Sequence, residues 1–193
     1  MVVSTGNKKI KTAVFISGTG SNLNNLIQFS KKKKSPILIN LIISNNPKSK
    51  GLRFAKKFNI EKKIFYFKKR TFDEKKLLKV LKDRKINLIC LAGFMRILSS
   101  NFIKNFKGKI LNIHPSLLPK YKGLNTHERV LKSKEKYTGC TVHFVSPKLD
   151  NGKIIIQKKI KIKKNDTPKK LAKRVLIEEH KLYPKAILKI FNL

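Results

Sequence analysis

The stretch Leu111-Asn112-Ile113-His114-Pro115-Ser116-Leu117-Leu118-Pro119 closes an apolar run, residues 109–114, that reads as a strand. Asn112 and His114 stand two positions apart, so on a strand both side chains leave the same face. Pro115 keeps His114 extended, because the residue before a proline is driven out of helical geometry. An amide donor and an imidazole therefore project together from the end of a buried strand. There they could hydrogen-bond a developing oxyanion and move a proton near neutral pH. An isolated Asn-x-His would read as a structural amide in a turn and a satisfied histidine. Here, however, Asp150, in Leu149-Asp150-Asn151-Gly152, follows thirty-six positions after His114, between two more strand-like runs. Asn-Gly favours a hairpin, and a carboxylate beside an imidazole orients it and raises its pKa.

Working outward from this strand, further strand-like runs fall at 13–16, 37–44, 64–67 and 87–92. Helical patterns lie between them at 22–32, 51–58, 71–85 and 99–106, and another follows at 126–133. Thr71 and Glu74 have the spacing of a capping box. Strands at 138–145 and 153–162 flank the Asp150 turn. Thr167-Pro168 opens a terminal helix, with proline at its first position, and Pro184 is expected to kink it. This rhythm predicts one α/β domain over residues 1–193. Its sheet should be Rossmann-like, twisted and mostly parallel, with helices on both faces and a late antiparallel hairpin. Sites in such sheets lie beyond the carboxyl ends of the strands. The turn after Ile16, the loop after Ala92 and the strand end at His114 all fall there.

The chain has 193 residues, enough for one domain with a sizeable core. Its first twelve residues are polar and basic and do not read as a secretory signal, and no apolar run is long enough to span a bilayer. The expected location is cytoplasmic, with no membrane partner. Cys90 and Cys140 sit within apolar runs and read as buried thiols, too few for a structural zinc. No histidine pair has helical metal-ligand spacing, so no metal is expected. Lys and Arg number 47 against 10 Asp and Glu, a formal charge of +37. Such a charge invites a nucleic-acid reading. Yet the lysines are spread through nearly every segment, and neither an aromatic–basic ladder nor zinc-finger spacing accompanies them. Abundant Lys, Asn, Ile and Phe share A/T-rich codons, so a biased genome would produce this composition without selection for a ligand.

Two loops remain. Ser17-Gly18-Thr19-Gly20-Ser21-Asn22 joins the first strand to the first helix, where glycines admit a ligand to the backbone and free N–H groups bind anions. A dinucleotide fingerprint would need a third glycine at Leu23 and an acid after the second strand, which ends Ser44-Asn45-Asn46. No Gly-Lys-Ser/Thr follows either, which leaves a cradle for a monophosphate. Leu91-Ala92-Gly93-Phe94-Met95-Arg96-Ile97-Leu98 offers the apolar slot and backbone edge that a flat heterocycle needs.

Taken together, these motifs resemble the folate-dependent formyltransferases of purine synthesis. That family carries N-x-H-P-S-L-L-P, a later L-D-x-G and L-A-G-F-M-R-I-L, and its glycinamide-ribonucleotide enzymes carry S-G-x-G-S-N-L. The likeness runs from Ser17 to Pro184. It implies a formyltransferase fold in which Asn112, His114 and Asp150 are catalytic. It implies that Gly20, Ser21, Asn22, Leu23 and Asn24 hold a substrate phosphate and Glu179 a ribose. Arg70, Met95, Arg96, Ile97, Leu98 and Asn112 would meet the folate, with His143 and Thr141 in support. The implied reaction moves a formyl group from 10-formyltetrahydrofolate to the amine of glycinamide ribonucleotide. The amine attacks directly, and Asp150 favours the charged form of His114. The partners implied are these small molecules, with no specific nucleic acid, in a monomer or homodimer. A formyltetrahydrofolate deformylase and a basic nucleic-acid-binding protein on the same scaffold are the alternatives. If the charge is compositional, any binding to RNA or DNA will be indifferent to sequence and will fall steeply with added salt. Filter binding across a salt series checks this, and sequence-selective binding that survives high salt would overturn it.

Overall fold

Alternation along β1 (Ile10–Ile16) sends Val14 and Ile16 to one face of the sheet and Ala13 and Phe15 to the other, and all four are fully buried. A strand apolar on both faces has to be covered on both. The computed structural model, which describes residues 9–68 and 70–193, shows how. On one face Val14 and Ile16 join a cluster with Leu23 and Leu26 of α1 (Ser21–Ser30), Phe54 of α2 (Arg53–Phe58), and Leu171 and Val175 of α6 (Pro168–Ile190). On the other, Ala13 and Phe15 join Leu77 and Leu81 of α3 (Arg70–Asp83) and Phe102 of α4 (Ser100–Asn105).

The sheet has seven strands in the order β3-β2-β1-β4-β5-β6-β7. β2 (Ile37–Ser44), β3 (Glu61–Ile64), β4 (Leu88–Leu91) and β5 (Lys109–His114) run parallel to β1. β6 (Tyr137–Phe144) is antiparallel to both β5 and β7 (Ile154–Lys161), and α5 (Thr126–Lys132) precedes it. The expected α/β sheet and late antiparallel pair are thus present. Strand order reverses between β1 and β4, which opens a crevice beyond their carboxyl ends.

Several boundaries differ from the sequence reading, for physical reasons. The third strand was expected at the aromatic run 64–67 but lies at Glu61–Ile64, in register with Leu41–Ser44 of β2. It is an edge strand, where charged residues are tolerated and discourage pairing with another chain. The capping box fails as well: α3 already includes Thr71, and Glu74 turns to the next helix instead. Its carboxylate, almost fully buried, accepts the Ser99 N–H at 2.8 Å and the Ser99 hydroxyl, while Ser99 Oγ caps α4 by accepting the Phe102 N–H at 3.0 Å. Thr167 does cap α6, accepting the Lys170 N–H at 3.3 Å.

α6 continues through Pro184 to Ile190. Proline has no N–H for the carbonyl four residues back. That carbonyl, of His180, accepts a hydrogen bond from Asn25 Nδ2 of α1 at 2.6 Å. The defect in one helix becomes a tie to its neighbour. One turn away, the fully buried Tyr183 hydroxyl lies 3.1 Å from the Leu91 carbonyl of β4 and 3.2 Å from the Leu111 carbonyl of β5. α6 is thereby pinned below the strands that lead into the crevice. Tyr183→Phe keeps the packing and removes that bond, so it should lower the unfolding free energy by about 1 kcal/mol, measurable as a shifted denaturant midpoint at unchanged slope.

Candidate active site

A cavity of about 430 Å³ occupies the crevice, lined by Asn22 and Glu179, by Asn112, His114 and Asp150, and by 93–98 with Leu124. The turn after β1 brings Asn22 to this cavity. Gly20 is left-handed (φ 76°), and a Cβ there would lie 2.6 Å from the Gly51 Cα. Gly51 and Ser49 brace the turn: the Gly51 N–H and the Ser49 hydroxyl donate to the Gly18 carbonyl at 3.0 and 2.6 Å. The first intrahelical bond of α1 runs from the Asn24 N–H to the Gly20 carbonyl at 2.9 Å. The N–H groups of Ser21, Asn22 and Leu23 precede it, as the unpaired start of a helix does, and make an anion-binding end. The Asn24 N–H is already engaged, and Leu23, fully buried, can offer only its backbone.

Glu179, buried on α6, accepts a hydrogen bond from Asn22 Nδ2 at 2.7 Å. Burial pushes its carboxyl above the ordinary carboxylate range, against the opposing effect of that bond. Asn22 Oδ1 is buried without a hydrogen-bond partner among the described residues. An orphan acceptor beside a buried carboxyl suits a ligand hydroxyl.

The loop after β4 is tied to the same turn. The Ser17 N–H donates to the Gly93 carbonyl at 3.1 Å, and the Met95 N–H donates to Ser17 Oγ at 2.7 Å. Ser17, which the motif reading passed over, therefore links the two loops. Met95, Arg96 and Ile97 are exposed along the loop after β4, whereas Leu98 is buried in the core beneath it. Arg70 begins α3, and its side chain lies outside the described residues.

The expected catalytic trio converges. His114 Nδ1 lies 3.3 Å from Asp150 Oδ2, and both side chains are 7% exposed, shielded enough for their charges to interact strongly. Asp150 stands at φ 44° in the connection between β6 and β7, longer than the tight hairpin Asn-Gly had promised. Asn112 Nδ2 lies 3.4 Å from Asp150 Oδ1 and 3.3 Å from His143 Nε2. His143 pairs across the sheet with Asn112, and Thr141 with His114. His143 Nδ1 donates to the Phe144 carbonyl at 2.8 Å, and its Nε2 faces both Asn112 Nδ2 and, at 3.7 Å, Asp150 Oδ1. Thr141 has a different task from His143. Its hydroxyl donates to the Ser116 carbonyl at 2.7 Å and accepts from the Leu118 N–H at 3.1 Å and Gln157 Nε2 at 2.8 Å, fixing the chain just after His114.

Two backbone groups that no motif announces complete the arrangement. His114 Nε2 donates to the Tyr121 carbonyl at 2.9 Å, and the Gly123 N–H donates to Asp150 Oδ2 at 2.9 Å. The electrostatics depart from expectation. Burial lowers the His114 pKa below its ordinary 6.5, and the Tyr121 bond and the Asp150 charge, which raise it, do not compensate; the charges of His143 and Arg129 lower it further. Burial thus favours the neutral ring, against the two acceptors that face its nitrogens. Asp150 moves the other way: burial opposes its ionisation, yet His143, the Gly123 N–H and the nearby imidazoles outweigh this and hold it below the usual carboxylate range. Burial pushes both Cys90 and Cys140 up to about 12, so neither serves as a nucleophile, and both thiols are free and buried as expected. Among the described residues no cluster of His, Cys, Asp and Glu could hold a metal, and no helix is long and apolar enough to cross a membrane.

Residues 10–187 match the family described as formyl transferase. The phosphoribosylglycinamide formyltransferase of Haemophilus influenzae is 39% identical over 180 residues, covering 92% of this chain and 85% of that protein. The crystal structure of phosphoribosylglycinamide formyltransferase from Brucella melitensis superposes with a TM-score of 0.89 at 41% identity, covering 95% of this chain and 96% of that one. The trifunctional purine biosynthetic protein adenosine-3 of Gallus gallus is 47% identical over 182 residues; that region is 93% of this chain but spans only 18% of the longer protein. With the match running through β1, the crevice and α6, the chain belongs to the formyl transferase family.

Proposed function

We propose that this chain transfers a formyl group from 10-formyltetrahydrofolate to the amine of glycinamide ribonucleotide, in purine synthesis. The observation that carries the reading is one cavity lined by the buried Asn22–Glu179 pair, the Asn112–His114–Asp150 trio and the loop 93–98, with Asn22 bringing the start of α1 to its edge. A phosphate at Ser21–Leu23 would place the ribose hydroxyls against Asn22 Oδ1 and Glu179. The glycinamide amine then faces His114, and a pterin lies along 93–98. Arg70 would sit beside the folate. The match to proteins named phosphoribosylglycinamide formyltransferase supports this choice of acceptor.

The chemistry follows from this arrangement. The amine attacks the formyl carbon, and the carbonyl oxygen becomes an oxyanion. Both Asn112 contacts are long, 3.3 and 3.4 Å, so its amide hydrogens exchange readily to that oxygen. His114 takes up the proton the amine loses, and the imidazolium is stabilised between Asp150 Oδ2, 3.3 Å from Nδ1, and the Tyr121 carbonyl, 2.9 Å from Nε2. It then returns the proton to the departing folate nitrogen. No enzyme nucleophile is needed. Holding both substrates in line lowers the barrier further.

His114→Ala should cut turnover at least about a hundredfold, and Asn112→Ala on the order of a hundredfold, with little change in folding. Near-normal turnover in His114→Ala would mean that the chemistry lies elsewhere.

The rate should fall as pH drops through the His114 pKa, which lies below 6.5. Asp150→Asn removes a charge that raises this pKa, so its acid limb should move to lower pH while its plateau falls. A limb that moves upward would contradict the assigned roles.

The acceptor is tested by turnover with purified components. Adding glycinamide ribonucleotide should release tetrahydrofolate and formylated product in equal amounts. Without it the formyl folate should stay nearly intact, because water lacks the binding energy that positions the amine. Rapid formate release without acceptor would instead identify a deformylase.

A further inference from the structure

Beyond β4 the chain turns at Gly93, left-handed at φ 71°, and enters no regular element until α4. Met95 and Ile97 are 63% and 57% exposed on this stretch, so apolar burial does little to fix it. Its anchors are few. The Phe94 ring packs edge-on against Phe15 and Phe67, with centroids 5.4 and 5.6 Å apart. At the far end the Glu74 carboxylate holds the Ser99 N–H at 2.8 Å. Between these points the backbone groups of Arg96, Ile97 and Leu98 make no hydrogen bond to the backbone of other described residues.

The remaining anchor is a side chain from another strand. The Met95 N–H donates to Ser17 Oγ at 2.7 Å. A hydroxyl has one hydrogen and two lone pairs. Asn45 Oδ1, just beyond β2, takes the hydrogen, so a lone pair of Ser17 Oγ is turned towards Met95. The turn after β1 does not depend on this hydroxyl. The Gly51 N–H and the Ser49 hydroxyl brace it at the Gly18 carbonyl, and the bond from the Ser17 N–H to the Gly93 carbonyl is made by backbone alone. What the hydroxyl supplies is the setting of the chain from Met95 onward, where residues 95–98 line the cavity.

Ser17 itself is not among the residues that line that cavity. We propose that Ser17 is a positioning residue for the folate: its hydroxyl, aimed by Asn45, holds the Met95 backbone so that the open peptide edge at 95–98 is set before the heterocycle arrives. Without that hold, ordering the loop would be charged against binding, and affinity would fall. The choice of folate rests on the reaction proposed above; the hold on the loop does not.

The test uses the whole chain with Ser17→Ala, which removes the hydroxyl, and Ser17→Thr, which keeps it. Amide hydrogen exchange followed by NMR in the ligand-free protein reads the loop directly. In S17A the Met95 amide should exchange about tenfold faster, while the Ala92 amide, which donates to the Phe15 carbonyl, keeps its rate; S17T should restore Met95. Calorimetric titration with tetrahydrofolate should show S17A binding about tenfold more weakly and S17T within about twofold of wild type. In turnover, S17A should raise KM for the formyl folate about tenfold and leave kcat and KM for the ribonucleotide within about twofold. An unchanged Met95 amide in S17A would overturn the proposal, and so would faster exchange with undiminished folate affinity. Equal rises in KM for both substrates would also overturn it, because they would mark a general loosening of the fold. A wild type that binds tetrahydrofolate but fails to formylate glycinamide ribonucleotide would refute the proposed reaction alone, since neither exchange nor titration needs turnover.

Discussion

Two backbone hydrogen bonds separate a sheet from an enzyme here. The Ser17 N–H reaches the Gly93 carbonyl, and the Ala92 N–H reaches the Phe15 carbonyl at 2.9 Å. They hold β1 and β4 side by side up to the point where their outgoing chains part, one towards α1 and the other towards α4. Without that shared last rung the crevice would have no fixed width. The turn after β1 and the loop after β4 would then drift independently of β5. Ser17 extends the constraint through its side chain, accepting the Met95 N–H and donating to Asn45 Oδ1. The three parallel strand ends thus behave as one rim.

On that rim the protonation of His114 is set by opposing effects. Desolvation, the largest, favours a neutral ring, and the Tyr121 carbonyl and Asp150 favour a charged one. Asp150 is secured by His143 and by a backbone N–H that cannot titrate. A carboxylate fixed in this way can support the imidazolium without competing for its proton.

Much of this was legible in the sequence. Alternation of buried residues gave the parallel core strands, and β2 and β5 fall on the residues where the apolar runs place them. Spacing within Asn112–His114 brought both side chains to one cavity, because strand geometry leaves no choice. What was hidden depended on backbone atoms or on contacts across the fold. The Tyr121 carbonyl and the Gly123 N–H have no side-chain signature. Glu74 has the right spacing for a local cap, yet a partner in another helix won it. Edge strand β3 reads as polar because an edge needs little burial, so the neighbouring aromatic run drew attention instead. The sign of the His114 shift was missed because a sequence displays the nearby acid but not the depth of burial. Met95, Arg96, Ile97 and Leu98 do line the cavity, but no spacing in the sequence distinguishes them from an ordinary strand-to-helix loop.

The sheet ends in two open edges, β3 and β7. β7 carries exposed Lys158, Lys159 and Lys161, and β3 carries exposed Glu61 and Lys62 beside half-buried Lys63. A second copy laying its β7 alongside would set lysine against lysine with no acid to relieve the repulsion. Both faces of the sheet are strongly apolar, and such a sheet is prone to growing by strand addition once its edges are free. The lysine spread along the whole chain thus also seals the vulnerable margin of the fold. Composition becomes a source of colloidal stability for this chain.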